Sequence, residues 1–179
     1  LKPVYDFSTF NENQSIKINQ LGGKSVYPNI ADFKKTEGFR LPTEVEWEWF
    51  ARGGEVAIQD GTFNYDYSGS NNLDEVAWHH ENSGEQTHDV GTKKPNQLGL
   101  YDCSGNVWEW CYDTNSDGYI SENIPYIYDE IETERRIRGG SCRYVHYTPE
   151  ENELFYRDDN GYINFAINYS CGFRIVRTI

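Results

Sequence analysis

The chain has 179 residues, with 29 acidic against 16 basic side chains, a formal net charge of −13, and 16% aromatic residues among which Tyr (14) outnumbers Phe (9) and Trp (5). That length suits one domain with a real core, and the scarcity of aliphatic side chains means that aromatic packing must fill it. The acidity without a basic patch counts against a nucleic-acid surface, and no run approaches the roughly 20 apolar residues of a membrane-spanning helix.

Residues 1–38 alternate weakly (Val4, Tyr5, Phe7, Phe10, then Ile16 and Ile18), which predicts one or two short strands around the Asn11-Glu-Asn-Gln turn and a Gly22-Gly23 loop. The clearest helix follows. Thr43 and Glu46 form a capping box after Pro42, acids crowd the first turn, Arg52 lies at the far end and Gly53 stops it. Val45, Trp47, Trp49, Phe50 and Ala51 go round most of its circumference, which predicts packing on more than one side. Residues 53–96 are polar and rich in turns, a stretch of the kind that is functional or held by turns and ions. Within it Trp78, His79 and His80 stand together; with no Cys or third His nearby, hydrogen-bonding roles suit the two histidines better than metal ligation.

The densest segment is Gly99-Leu-Tyr-Asp-Cys-Ser-Gly-Asn-Val-Trp-Glu-Trp-Cys111. Trp108 and Trp110 alternate with Glu109, so an extended segment would put the tryptophans on one face and Glu109 on the other. Gly105 and Asn106 tolerate positive φ, and a tight turn there would bring Asp102 and Glu109 together as oxygen ligands for a hard cation such as Ca²⁺. An aromatic core strand with a solvated Glu109 fits the same spacing. Asp113-Thr-Asn-Ser-Asp-Gly118 begins like an EF-hand loop, but its twelfth position is Ile124 in place of the bidentate Glu, which favours a plain turn. Ile137-Arg-Gly-Gly-Ser-Cys-Arg143 reads as a strand entering a glycine bend. Gly172-Phe-Arg-Ile-Val-Arg177 reads as a final strand in which Phe173 and Ile175 alternate with arginines. The tract between them is rich in Tyr, Asn and Asp, the composition of adaptable recognition surfaces, although a polar loop excursion would have the same composition. The cysteines (Cys103, Cys111, Cys142, Cys171) show no C-x₂-C spacing; two disulfides and four buried thiols both fit, and the compartment stays open.

Four segments in order, Gly38-Phe-Arg-Leu-Pro-Thr-Glu-Val-Glu-Trp-Glu-Trp-Phe-Ala-Arg-Gly-Gly54, the thirteen residues from Gly99 to Cys111, Arg138-Gly-Gly-Ser141 and Gly172-Phe-Arg174, resemble the formylglycine-generating enzyme (sulfatase-modifying factor) family, whose domain is a variant of the C-type lectin fold. The resemblance implies an α+β domain over residues 1–179, with short strands, few helices and much irregular loop, and without the family's amino-terminal portion. It also implies a calcium site from the side chains of Asp102 and Glu109 and the carbonyls of Gly105 and Val107. The family's other calcium site is not carried over, since the corresponding segment reads Glu85-Gln-Thr-His-Asp-Val-Gly91. The family's two reactive cysteines fall near Tyr144 and Pro149 here, and Cys142 stands where most relatives have a packed Trp; no catalytic residue is assigned and no copper is expected.

A second branch of the same scaffold, the retroelement-diversified variable proteins (TvpA type), resembles the chain more in its tract, since it varies between Arg-Gly-Gly-Ser and Gly-Phe-Arg. That likeness implies a variable ligand-binding surface over residues 143–169, carried by Arg143, Tyr144, Val145, His146, Tyr156, Asp158, Asp159, Asn160, Tyr162, Asn164, Asn168 and Tyr169. The expectation is a non-enzymatic binding module at the cell surface or outside the cell, with structural Ca²⁺ and a protein or other macromolecule as partner. A formylglycine-type oxidase using Cys142 and a structural docking domain are the alternatives.

Overall fold

The computed structural model describes residues 38–114, 135–143, 152–156 and 171–177. The strands expected before residue 38 and the turn expected after Thr114 lie outside them. Helix α1 (Glu44–Ala51) forms where the capping box predicts it. The Thr43 hydroxyl accepts the Glu46 N–H at 3.2 Å, the Glu46 carboxylate accepts the Thr43 N–H at 2.9 Å, and Arg40 grips the same carboxylate with two 2.6 Å bonds. Gly53, at φ +88°, turns the chain directly into α2 (Gly54–Gln59).

The packing on more than one side expected of α1 is present in part: beside the buried face, Trp49 lies with its ring 5.6 Å from that of Phe63 and Phe50 packs on the core cluster. Val45 is 60% exposed and Trp49 45%, whereas Glu44, Trp47 and Ala51 are buried. With half-buried Glu48, these occupy the i, i+3, i+4 and i+7 positions of one face, so two inward places go to acids and two apolar residues are left outside.

The main sheet has the order β3–β2–β4, with the central β2 (Trp108–Thr114) antiparallel to β3 (Arg135–Arg138) and parallel to β4 (Cys171–Phe173). Glu109 stands opposite Arg138 on one side and Gly172 on the other. The single closing strand expected from the sequence is two: β5 (Val176–Arg177) leaves the main sheet and pairs antiparallel with β1 (Phe39–Arg40).

Residues 60–107 carry two single-turn helices, α3 (Leu73–Val76) and α4 (His80–Ser83), and are otherwise held by side chains bonded to backbone. Asn96 is the main tie: its amide donates to the carbonyls of Phe50 and Ala51 while its carbonyl oxygen accepts from Leu98 and Leu100. His79 pairs with Asp74 at 2.9 Å and caps α4, a hydrogen-bonding role as expected. The buried cluster of Trp47, Ala51, Cys103, Cys111 and Leu154, with Phe50 and Leu100 against it, joins α1 to the sheet. No disulfide joins the four cysteines; Cys103, Cys111 and Cys142 are buried and Cys171 is half-buried.

Candidate functional site

Glu109 is not solvated. It is 5% exposed, its Oε2 accepts the Trp47 Nε1–H at 2.8 Å, and Arg174 forks onto both of its oxygens at 3.0 and 2.6 Å. The same Arg174 nitrogen that donates to Oε1 donates to the Tyr101 carbonyl at 2.9 Å. The inward place in the closing segment therefore belongs to Arg174, while Phe173 is 70% and Ile175 55% exposed, the reverse of the expected alternation. Burial works against the arginine's charge, but the bond to Glu109 outweighs it and the proton is held more firmly than in a free side chain.

Asp102 sits at φ +57° at the head of the loop into β2. Its Oδ2 accepts the Gly91 N–H at 2.8 Å, and its Oδ1 is buried without a hydrogen-bond partner. Asp102 also adds to the field that holds the Arg174 charge, so the two carboxylates paired in the sequence reading converge on a cation supplied by the chain itself. The predicted turn is present: Gly105 is at φ +76°, and a Cβ there would lie 2.4 Å from the Trp78 carbonyl oxygen. Asn106 then spends every polar group. Its N–H goes to Trp78, its carbonyl accepts from Cys142, and its side chain makes two bonds of 3.1 Å with the His88 backbone. Val107 is half-buried with a methyl against Gly172. Among the described residues no three His, Cys, Asp or Glu side chains converge as a metal-holding group. Of the ligands expected for calcium, Asp102 keeps Oδ1 without a partner, whereas both Glu109 oxygens are taken by Arg174 and Trp47.

A second ionic centre was not read from the sequence. Arg138, fully buried, donates to Glu44 and Glu48 at 3.0 Å each and to the Leu154 carbonyl, with its guanidinium 5.0 Å from the Trp47 ring centre. Arg136 approaches Glu44 at 3.8 Å. The signal was there in the spacing: acids four apart on the face that also carries Trp47, and arginines two apart on one strand face.

These clusters fix the ends of the tract. After β3, Gly139 accepts the Gly105 N–H through its carbonyl, and buried Cys142 is tied through its N–H to Asn106 and through its carbonyl to the Ser83 hydroxyl at 2.6 Å. Arg143 is exposed and donates through Nε to the Glu85 carbonyl at 2.6 Å. Residues 152–156 also touch the core. There the Asn152 carbonyl accepts from Ser104 at 3.0 Å, Leu154 is 1% exposed, and its N–H reaches the Asp66 carbonyl at 2.8 Å. Tyr156 is half-buried, its ring 6.2 Å from that of Trp108. The chain returns at β4, on the other side of β2 from where it left. Of the ligand candidates, Arg143 and Tyr156 are thus placed; Tyr144, Val145, His146, Asp158, Asp159, Asn160, Tyr162, Asn164, Asn168 and Tyr169 lie outside the described residues. Burial pushes the Cys103 thiol up to about 12 and the Cys111 thiol well above the usual thiol range.

Residues 4–179 match the family described as the sulfatase-modifying factor enzyme 1-like domain. The chain is 37% identical over 140 residues to the chaperone protein LppX of Paenibacillus barcinonensis, covering 69% of this chain and 47% of that protein. It is 36% identical over 98 residues to the formylglycine-generating enzyme of Streptomyces coelicolor, covering 51% and 31% respectively. Among solved structures, Treponema denticola variable protein 1 superposes with a TM-score of 0.63 at 31% identity, over 95% of this chain and 57% of its own. CarF gives 0.60 at 31% identity, over 87% and 52%. The chain therefore spans about half the length, or less, of the proteins it is similar to.

Proposed function

Since the chain belongs to the sulfatase-modifying factor enzyme 1-like domain family, we propose that it uses the family scaffold as a non-enzymatic binding module, displaying the Tyr- and Asn-rich tract of residues 143–169 to a protein or other macromolecule. One observation carries the reading: the described parts of the tract and its borders, at Cys142, at Leu154 and at β4, are held by buried contacts, as a scaffold holds a binding segment. The likeness to a variable protein over most of the chain supports it. So does the chemistry at the family's reactive positions, where Tyr144 and Pro149 stand and the nearest thiol, Cys142, is fully buried. Bound Ca²⁺ would take the unpartnered Asp102 oxygen and supply a fixed charge that braces the loop into β2. Copper has no place in the reading. A location at the cell surface or outside the cell goes with it; among the described residues no helix is long and apolar enough to cross a membrane.

The test begins with ligand capture from the native surroundings, followed by alanine replacement of Tyr156 and Tyr162, each expected to weaken binding by about 1–3 kcal/mol. A tract no more diverse between strains than the strands around it would remove diversification from the reading. The enzyme reading rests on the formylglycine-generating relatives. Turnover of a sulfatase cysteine peptide with copper, lost in Cys142→Ser, would establish it and overturn ours.

A further inference from the structure

Among the described residues, the surface carries an open cleft of about 570 Å³ whose lining includes Thr62, Tyr65, Asn71, Asn72, Lys94 and Gln97. It lies where the backbones of Gly69 and Pro95 touch, since a Cβ on Gly69 (φ +96°) would come 2.9 Å from the Pro95 carbonyl oxygen. In a chain of net charge −13, no Asp or Glu belongs to its lining. Glu75 stands at its edge, where it accepts from Ser70 at 3.0 Å and from Asn72 at 3.5 Å and lies 3.4 Å from Lys94.

The lining has donors to spare. Asn71 accepts the Asp66 N–H through Oδ1, which leaves both hydrogens of its amide nitrogen unspent. Gln97 uses one amide hydrogen on Thr62 at 2.7 Å and keeps the other. The Lys94 ammonium has two hydrogens beyond its contact with Glu75. Tyr65, half-buried, adds an aromatic face and a hydroxyl. Several donors around one ring, in a volume suited to a small ligand, match a molecule rich in acceptor oxygens with an apolar ring face. A lone lysine among neutral amides matches one carboxylate better than the doubly charged phosphate, which needs more positive charge around it.

We propose that this cleft binds a saccharide unit, and a hexuronic acid in preference to the neutral hexose of the same configuration. The cleft is built from residues 62–72 and 94–97 and owes nothing to the tract, so the proposal stands or falls apart from the binding-module reading. The test is amide NMR of the ¹⁵N-labelled chain titrated separately with galacturonate, galactose and inorganic phosphate. Galacturonate should shift the amides of Gly69, Asn71 and Gln97 with a Kd on the order of 1 mM, and galactose should bind roughly tenfold more weakly. Tyr65→Ala should abolish both titrations, and Lys94→Met should bring the two sugars to equal affinity; neither side chain is part of the core, so melting temperatures should hold. Arg143→Ala should leave the sugar titrations unchanged. No shift with either sugar, shifts that survive Tyr65→Ala, equal affinities in the parent chain, or phosphate moving the same amides as strongly would each overturn the proposal.

Discussion

Arg174 and Glu109 share a buried bidentate contact, with Trp47 completing the carboxylate's shell. Removing one partner leaves the other charge in a site that water reaches poorly. Arg174→Leu should therefore cost about 3–5 kcal/mol in urea unfolding, even though the new side chain is more apolar. Arg174→Lys keeps the charge but loses the fork and should fall between the two. A loss below about 1 kcal/mol in Arg174→Leu would mean that the pair behaves as an exposed one. Residue by residue, the closing segment shows why alternation misled: the pattern of Phe173 and Ile175 against arginines has the right period, but its phase is set by Glu109, some sixty positions earlier in the chain.

Helix α1 is the element on which the sheet is hung, and its start was legible because a capping box is a local device of four residues. Thr43→Ala should cost about 1 kcal/mol, read as a lower melting temperature. Its inward acids were not legible, because what neutralises Glu44 and Glu48 is Arg138, on a strand about ninety positions away. Glu46 and Glu48 give the helix a pH signature. Burial pushes Glu46 and Glu48 upward, but Arg40 and Arg138 outweigh it, so that both carboxyls titrate below the ordinary 4.5. The stability they contribute is complete above that value and is lost as pH falls through the lower, folded one. Burial holds Asp113, which accepts the first N–H of α1, above the ordinary range. Its effect has the opposite sign, weakening the fold as pH rises through its raised value. The two glutamates outnumber it, so the melting temperature should drop between about pH 5 and pH 3, and less steeply in Glu48→Gln. A melting temperature that rises on acidification would place Asp113 in control instead.

At the scale of the whole molecule, the distant pieces of chain that the scaffold joins include β1 with β5, Arg138 with α1, and the Asp102 loop with Arg174, and calcium would act on the last. A chelator should lower the melting temperature, with excess Ca²⁺ at about a hundred times its Kd restoring roughly 2.7 kcal/mol, and Asp102→Asn should be indifferent to both. No change on chelation would leave Asp102 and Glu109 as carboxylates braced by Arg174 alone. The sequence by itself determined the family scaffold, the capped helix, and the turn at Gly105 with the strand that follows it. All of these are written in short contiguous motifs, where backbone conformation depends on immediate neighbours. Only the tertiary structure decided that the cysteines form no disulfide, that the helix turns two acids inward, that Leu154 joins the buried core, and that residues 62–72 and 94–97 line one cleft. These features join groups far apart in the chain. Their energies come from burial and charge pairing across space, and no local pattern carries that information.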